Sequence, residues 1–99
     1  MTEPTRPLAI PTVHVDNART RVTEYRFAPG SATGWHRHEY DYVITPLTDG
    51  HLRLIGPGGA ESEAQLVAGQ SYFREAGVEH DVINAGATEI RFVEVEWKG

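Results

Sequence analysis

An all-β fold, a small sandwich or closed barrel, follows from three observations on the 99 residues. Ten glycines and six prolines break the chain at short intervals and leave little room for a helix of any length. The segments between the breaks are rich in Val, Ile, Thr, Tyr and Phe, which suit a pleated, half-buried surface. Several of them alternate apolar with polar residues, the period of a strand with one face on a core. Of the two architectures the barrel is preferred, because closure best limits exposed strand edges.

The first dozen residues hold three prolines and little apolar pattern beyond Leu8, Ala9 and Ile10, so residues 1–12 read as an arm, disordered or laid on a neighbour. Residues 13–99 form the barrel domain. Thr20 to Phe27 alternates cleanly and is a strand; after Pro29-Gly30 and Gly34 come strands at Trp35 to His38 and Tyr42 to Thr48. The turn Asp49-Gly50 predicts a hairpin into His51 to Ile55. Gly56-Pro57-Gly58-Gly59 is a second turn, leading to strands at Glu61 to Val67, Gln70 to Arg74 and His80 to Asn84, separated by Ala68-Gly69 and Glu75-Ala76-Gly77. Thr88 to Trp97 is the last and longest strand. It places Ile90 and Phe92 on one face and Val93, Val95 and Trp97 on the other, so both faces need covering and a second subunit is expected to cover one.

Composition excludes several function classes. The hydrophobic share of 39% and charged share of 23% are those of a globular domain, and a chain of this length builds a single core. Nine basic against 14 acidic residues give a net charge of −5 with the basic residues scattered singly, so nucleic acid is not an expected partner. No apolar stretch approaches the roughly 20 residues of a membrane span and no apolar secretory region follows the start, which predicts a cytoplasmic protein without membrane contact. With no cysteine, disulfides and thiol nucleophiles are absent and histidine and carboxylate are left as strong metal ligands. The sole lysine is Lys98, beside the terminus, which argues against Schiff-base chemistry, and no serine-nucleophile signature is present.

Five histidines therefore matter. His36 and His38 are two apart, which on a strand directs both imidazoles to one face. Random placement gives about 0.2 such pairs, so the pair alone is a weak signal. His80 strengthens it, since it starts another predicted strand just after a glycine turn, from which a barrel brings it across to the first pair.

In these residues the chain resembles the cupin superfamily. Gly30, His36, His38 and Gly50 match its first motif, Gly-x5-His-x-His-x3–4-Glu-x6-Gly. Gly69, Gly77, His80 and Asn84 match the second, Gly-x5-Pro-x-Gly-x2-His-x3-Asn. The resemblance runs from about Val22 to Trp97 and implies a small jelly-roll barrel (a double-stranded β-helix), commonly a homodimer, with a divalent metal on His36, His38 and His80. Fe, Zn, Ni, Mn or Cu would suit that shell. Glu75 stands at the motif proline, and the motif glutamate falls on Val43 or Tyr42 according to the spacing, so that carboxylate is missing. Three neutral ligands leave the charge of a divalent ion uncompensated, from which a small acidic ligand is expected.

The stretches Gly34 to Tyr42, Pro46 to Gly50 and Gly77 to Asn84 resemble more closely a subgroup of single-domain bacterial cupins associated with β-alanine degradation. The resemblance implies a metabolic enzyme. With Fe(II) the site would be similar to thiol and diketone dioxygenases, which makes it an oxidoreductase; with Zn or Ni it would polarise a carbonyl or a water as an isomerase or lyase does. The alternative is a non-catalytic binding or sensor cupin.

Further candidates carry competing structural readings. Asp41, Glu39 and Glu94 could each replace the missing carboxylate, but a surface acid is the commoner fate; Glu94 becomes a buried acid only if its face, shared with Ile90 and Phe92, is the interior. Tyr42 is expected to pack in the core or to offer its phenol to the site. Arg26, Arg37, Arg74 and Arg91 could clamp a carboxylate, although most should lie on the surface. One of the pairs Tyr72/Arg74 and Ser71/Phe73 faces the cavity. Trp35 is expected to pack at the barrel mouth, Asn84 to serve a turn, and His14 and His51 to have surface or pairing roles.

Overall fold

Strand β9 (Ile90–Trp97) shows how patterning becomes architecture: Ile90, Phe92, Glu94 and Glu96 are buried while the intervening residues are more exposed. It belongs to a computed structural model that describes residues 6–99. Before it come β1 (Ile10–Asp16), β2 (Thr20–Phe27), β3 (His36–Arg37), β4 (Asp41–Pro46), β5 (Gly50–Ile55), β6 (Glu61–Leu66), β7 (Tyr72–Arg74) and β8 (Glu79–Asn84). A 3-10 turn at Pro57–Gly59 links β5 to β6.

The strands form two sheets, ordered β1-β2-β9-β4-β7 and β3-β8-β5-β6. The sheets sandwich one core. Phe27, Tyr42, Ile44, Ile90 and Phe92 come from the larger sheet and Leu52, Leu66 and Val82 from the smaller. Phe27 and Phe92 meet with ring centroids 5.4 Å apart and tilted planes, a favourable aromatic packing. The all-β expectation holds, in the form of a jelly roll whose two sheets do not join into a continuous barrel.

Two expectations about connections change. β4 does not fold back on β5 as a hairpin; it pairs with β9 and β7, whereas β5 pairs with β6 and β8. Alternation identifies each as a strand but not its partner. A hairpin would set the apolar faces of Tyr42 and Leu52 side by side, while placing them in opposite sheets lets them bury each other. The crossing is pinned by Leu47 N–H donating to the Arg91 carbonyl (2.9 Å) and by Ala68 N–H donating to the Asp49 carboxylate (2.9 Å). The second change concerns β1, which was not expected as a strand. Residues 10–12 of the expected arm run into it, and it pairs antiparallel with β2 from Ile10↔Arg26 to Asp16↔Arg21. Residues 1–5 of the arm lie outside the described residues.

Candidate metal centre

The two-residue strand β3 pairs with β8 so that His36 lies opposite His80. That pairing brings together residues 44 positions apart. His38 follows, its backbone locked by His38 N–H to the Val78 carbonyl (2.9 Å) and Gly77 N–H to the His38 carbonyl (2.8 Å). Gly77 sits at φ 99°, a left-handed conformation that costs a side chain strain, which explains glycine at the turn leading from β7 into β8.

The three imidazoles converge tip to tip. His38 Nε2 lies 3.0 Å from His36 Nε2 and 3.1 Å from His80 Nε2. The three ligand atoms all fall within 4.8 Å of one another. Nitrogens bound at 2.0–2.1 Å to one ion lie about 3.0–3.4 Å apart, so this spacing fits a single cation. The tautomer also fits. His36 Nδ1 is 2.9 Å from the Gly34 carbonyl, which only accepts, so His36 carries its proton on Nδ1 and turns a lone pair on Nε2 toward the cluster. Thr33 Oγ1, 3.2 Å from the same nitrogen, braces the ring. Burial lowers the His38 pKa to about 4 and that of His80 to about 3, helped in each case by neighbouring imidazoles. Both are therefore neutral, the ligating form, at physiological pH.

The ambiguity over the missing motif glutamate resolves in favour of Tyr42. Strand alternation buries Tyr42 and Ile44 and turns Val43 away from the core. The Tyr42 ring stacks on His38 at 3.9 Å between centroids and 15° between planes. A carboxylate is supplied nearby from another strand, β9, where Glu94 Oε1 lies 3.9 Å from His38 Nδ1. Burial, reinforced by Glu96, raises the Glu94 pKa to about 7. Because burial favours the neutral form of both His38 and Glu94, their contact is not a charged pair in the metal-free protein. Tyr25 also meets this wall, and burial with the nearby Glu94 pushes its phenol up to about 12.

A cavity of about 350 Å³ opens beside the histidines, lined by Ile44, Leu52, Val82 and Phe92 on its apolar side and by Tyr42, Tyr72, Arg74 and Glu94 on its polar side. The other candidates have structural partners. Asp41 accepts from Ala76 N–H (2.8 Å) in a turn, and Glu39 is exposed. Arg26, Arg37 and Arg91 hold Glu89, Glu79 and Glu24 on the outer surface. His14 and His51 meet Glu24 and Glu63. Asn84 is buried and serves a turn, donating to the Phe27 and Thr88 carbonyls (3.1 and 2.9 Å) and accepting from Gly86 N–H (2.9 Å). Trp35 is 55% exposed and does not line the cavity. Sequence reasoning missed Thr33 and Tyr25, because a lone threonine in a loop and a tyrosine among alternating strand residues carry no distinguishing signal.

Comparison with known proteins agrees with this geometry. A family model described as a cupin domain matches residues 23–96. The chain is 64% identical over 93 residues to the "Beta-alanine degradation protein BauB" of Pseudomonas aeruginosa, covering 94% of this chain and 97% of that one. A crystal structure of a cupin domain from Bordetella pertussis Tohama I superposes with a TM-score of 0.92 at 55% identity, over 98% of this chain and 100% of the other. The polyketide cyclase RemF of Streptomyces resistomycificus shares the fold alone, at TM-score 0.69 and 24% identity over 95% and 70% of the two chains. Two sheets in a jelly roll, three converging histidines and a family match over residues 23–96 establish that this chain belongs to the cupin superfamily.

Proposed function

We propose that this cupin is a metal-dependent metabolic enzyme acting on a small acidic metabolite, in keeping with the β-alanine degradation named for its P. aeruginosa relative. The observation that carries the reading is the approach of three imidazole Nε2 atoms to 3.0 and 3.1 Å, with the His36 tautomer set for ligation. His36, His38 and His80 would hold the ion. A divalent metal there supplies a Lewis acid with positions open to a ligand. The three neutral imidazoles leave its charge uncompensated, so an anionic ligand is favoured. Ile44, Leu52, Val82 and Phe92 exclude water from one side of the cavity, which strengthens electrostatic attraction inside it. Tyr42 keeps the His38 ring in plane by stacking, and Glu94, 3.9 Å from His38 Nδ1, is placed to accept a hydrogen bond from Nδ1–H and fix the ring's orientation once the ion is bound.

The protein is further proposed to be a homodimer. Among the described residues β1 ends the larger sheet with one unpaired edge, and its Ile10, Val13 and Val15 are exposed. A second copy laid on that strand would cover them. No helix among the described residues is long and apolar enough to cross a membrane, and a cytoplasmic location is proposed with the metabolic role.

Metal analysis of protein purified without added metal, followed by oxygen uptake with cysteine, β-alanine and 3-oxo acids, tests the function. About one equivalent of a divalent metal per chain is expected, with turnover of one compound. Metal without turnover of any of them favours the sensor alternative, and absence of metal under reloading refutes the site. His36→Ala should lose most of the metal yet keep a wild-type circular dichroism spectrum, because the site is added to a complete core.

A further inference from the structure

Resting on the reading above, we propose that Arg74 is the carboxylate-binding residue of this cavity and selects short-chain carboxylic acids whose other end carries a metal-binding group. β4 and β7 pair Tyr42 with Arg74 and Ile44 with Tyr72, so these four side chains share one face, and all four line the cavity beside the histidines. Val43 and Phe73 point the other way. Arg74 thus stands across from Tyr42, whose ring lies against His38. The Arg74 charge acts on His80 as well as on Tyr42 and Tyr72, which puts it within electrostatic reach of the cluster.

Its pairing state separates it from most other arginines. Arg21, Arg26, Arg37, Arg53 and Arg91 hold Glu96, Glu89, Glu79, Glu61 and Glu24. Among the described residues Arg74 has no carboxylate partner, and it is the only lysine or arginine of them that lines this cavity. It is nonetheless oriented. The guanidinium carbon sits 4.7 Å from the centroid of the Tyr72 ring, and Nη1 donates to the Phe73 carbonyl (3.0 Å). Stacking and one backbone bond fix the plane of the guanidinium while leaving most of its five N–H donors free for a bidentate carboxylate. A ligand gripped at its carboxylate there would direct its distal group toward the three Nε2 atoms. An oriented cation on one wall and an ion-binding cluster beside it make a two-point site for a short, bifunctional acid.

Calorimetric titration of metal-loaded protein with 3-mercaptopropionate and with 3-mercaptopropionamide tests this, since the two differ only in the group Arg74 would read. Wild type should bind the acid roughly 10- to 100-fold more tightly, the range of a charge-assisted hydrogen-bonded pair. Arg74→Gln should retain its metal and bind both compounds alike, and Arg74→Lys should keep part of the preference. Equal binding of acid and amide by wild type, binding of neither, or a preference that survives in Arg74→Gln overturns the proposal. Failure of the metal reading is distinguishable, because it appears as absence of metal in wild type before any ligand is added.

Discussion

Asn84 shows how much of the molecule rests on single side chains. Only 1% exposed, it uses both amide hydrogens on the Phe27 and Thr88 carbonyls and its oxygen on the Gly86 N–H, tying the end of β2 to the β8–β9 turn. An Asn84→Ala chain would leave the buried Phe27 carbonyl unsatisfied and free the Thr88 carbonyl and Gly86 N–H of the half-buried turn. We expect about 3 kcal/mol of destabilisation in urea unfolding, and less than about 1 kcal/mol would mean that water takes over the bonds. Thr33 is a finer case, because it touches His36 on the side away from the cluster. Thr33→Val should lower metal affinity about 10-fold or more, read by competition with a chelator. An unchanged affinity would show that the Gly34 carbonyl alone holds the ring.

At the scale of elements, Gly50 explains a motif position by packing. It opens β5, and a Cβ there would lie 2.6 Å from Cγ1 of Ile90, a core residue 1% exposed. Gly50→Ala should therefore cost about 1–3 kcal/mol by forcing β5 and β9 apart, with the metal site intact; a neutral substitution would mean that Ile90 has another rotamer available. The same scale shows what could be read from sequence. β2 was legible because alternation over eight residues reports directly on a one-sided core; β9 was legible as a strand, but its apolar residues change face at Val93, and Glu94 and Glu96 rather than Val95 and Trp97 are buried in line with Ile90 and Phe92. β1 was not, since all seven of its residues are exposed and its pattern reflects pairing with β2 rather than burial. Strand partners were misjudged at Asp49-Gly50, where turn chemistry looks local but the chain changes sheet. In the site, the histidines were legible because spacing encodes strand face. Selection of Arg74 over three other arginines needed the β4–β7 register that no local pattern contains, and selection of Tyr42 over Val43 needed to know which face of β4 is buried.

Over the whole molecule, the buried titratable groups give the metal-free protein a peaked pH dependence. His38 and His80, depressed from 6.5 to about 4 and about 3, bind fewer protons folded than unfolded, so stability is full above pH 6.5 and is lost as pH falls below it. Glu94 works in the opposite sense: raised from 4.5 to about 7, it binds more protons when folded, and stability declines as pH rises between those values. Between about pH 4.5 and 6.5 the two histidines outweigh the one carboxyl, so stability still rises with pH; from about 6.5 to 7 only Glu94 remains and stability falls. Thermal unfolding of chelator-treated protein should therefore show its highest Tm near pH 6.5. Glu94→Gln removes the descending limb and should stabilise the protein at pH 8 by on the order of 3 kcal/mol, the linkage value of the Glu94 shift. Parallel Tm curves for wild type and Glu94→Gln would show that Glu94 ionises without cost and that the wall beside His38 is wetter than its burial indicates. Reloading with metal should raise the whole curve at neutral pH and steepen its acid side, because protons then compete directly with the ion for the three imidazoles.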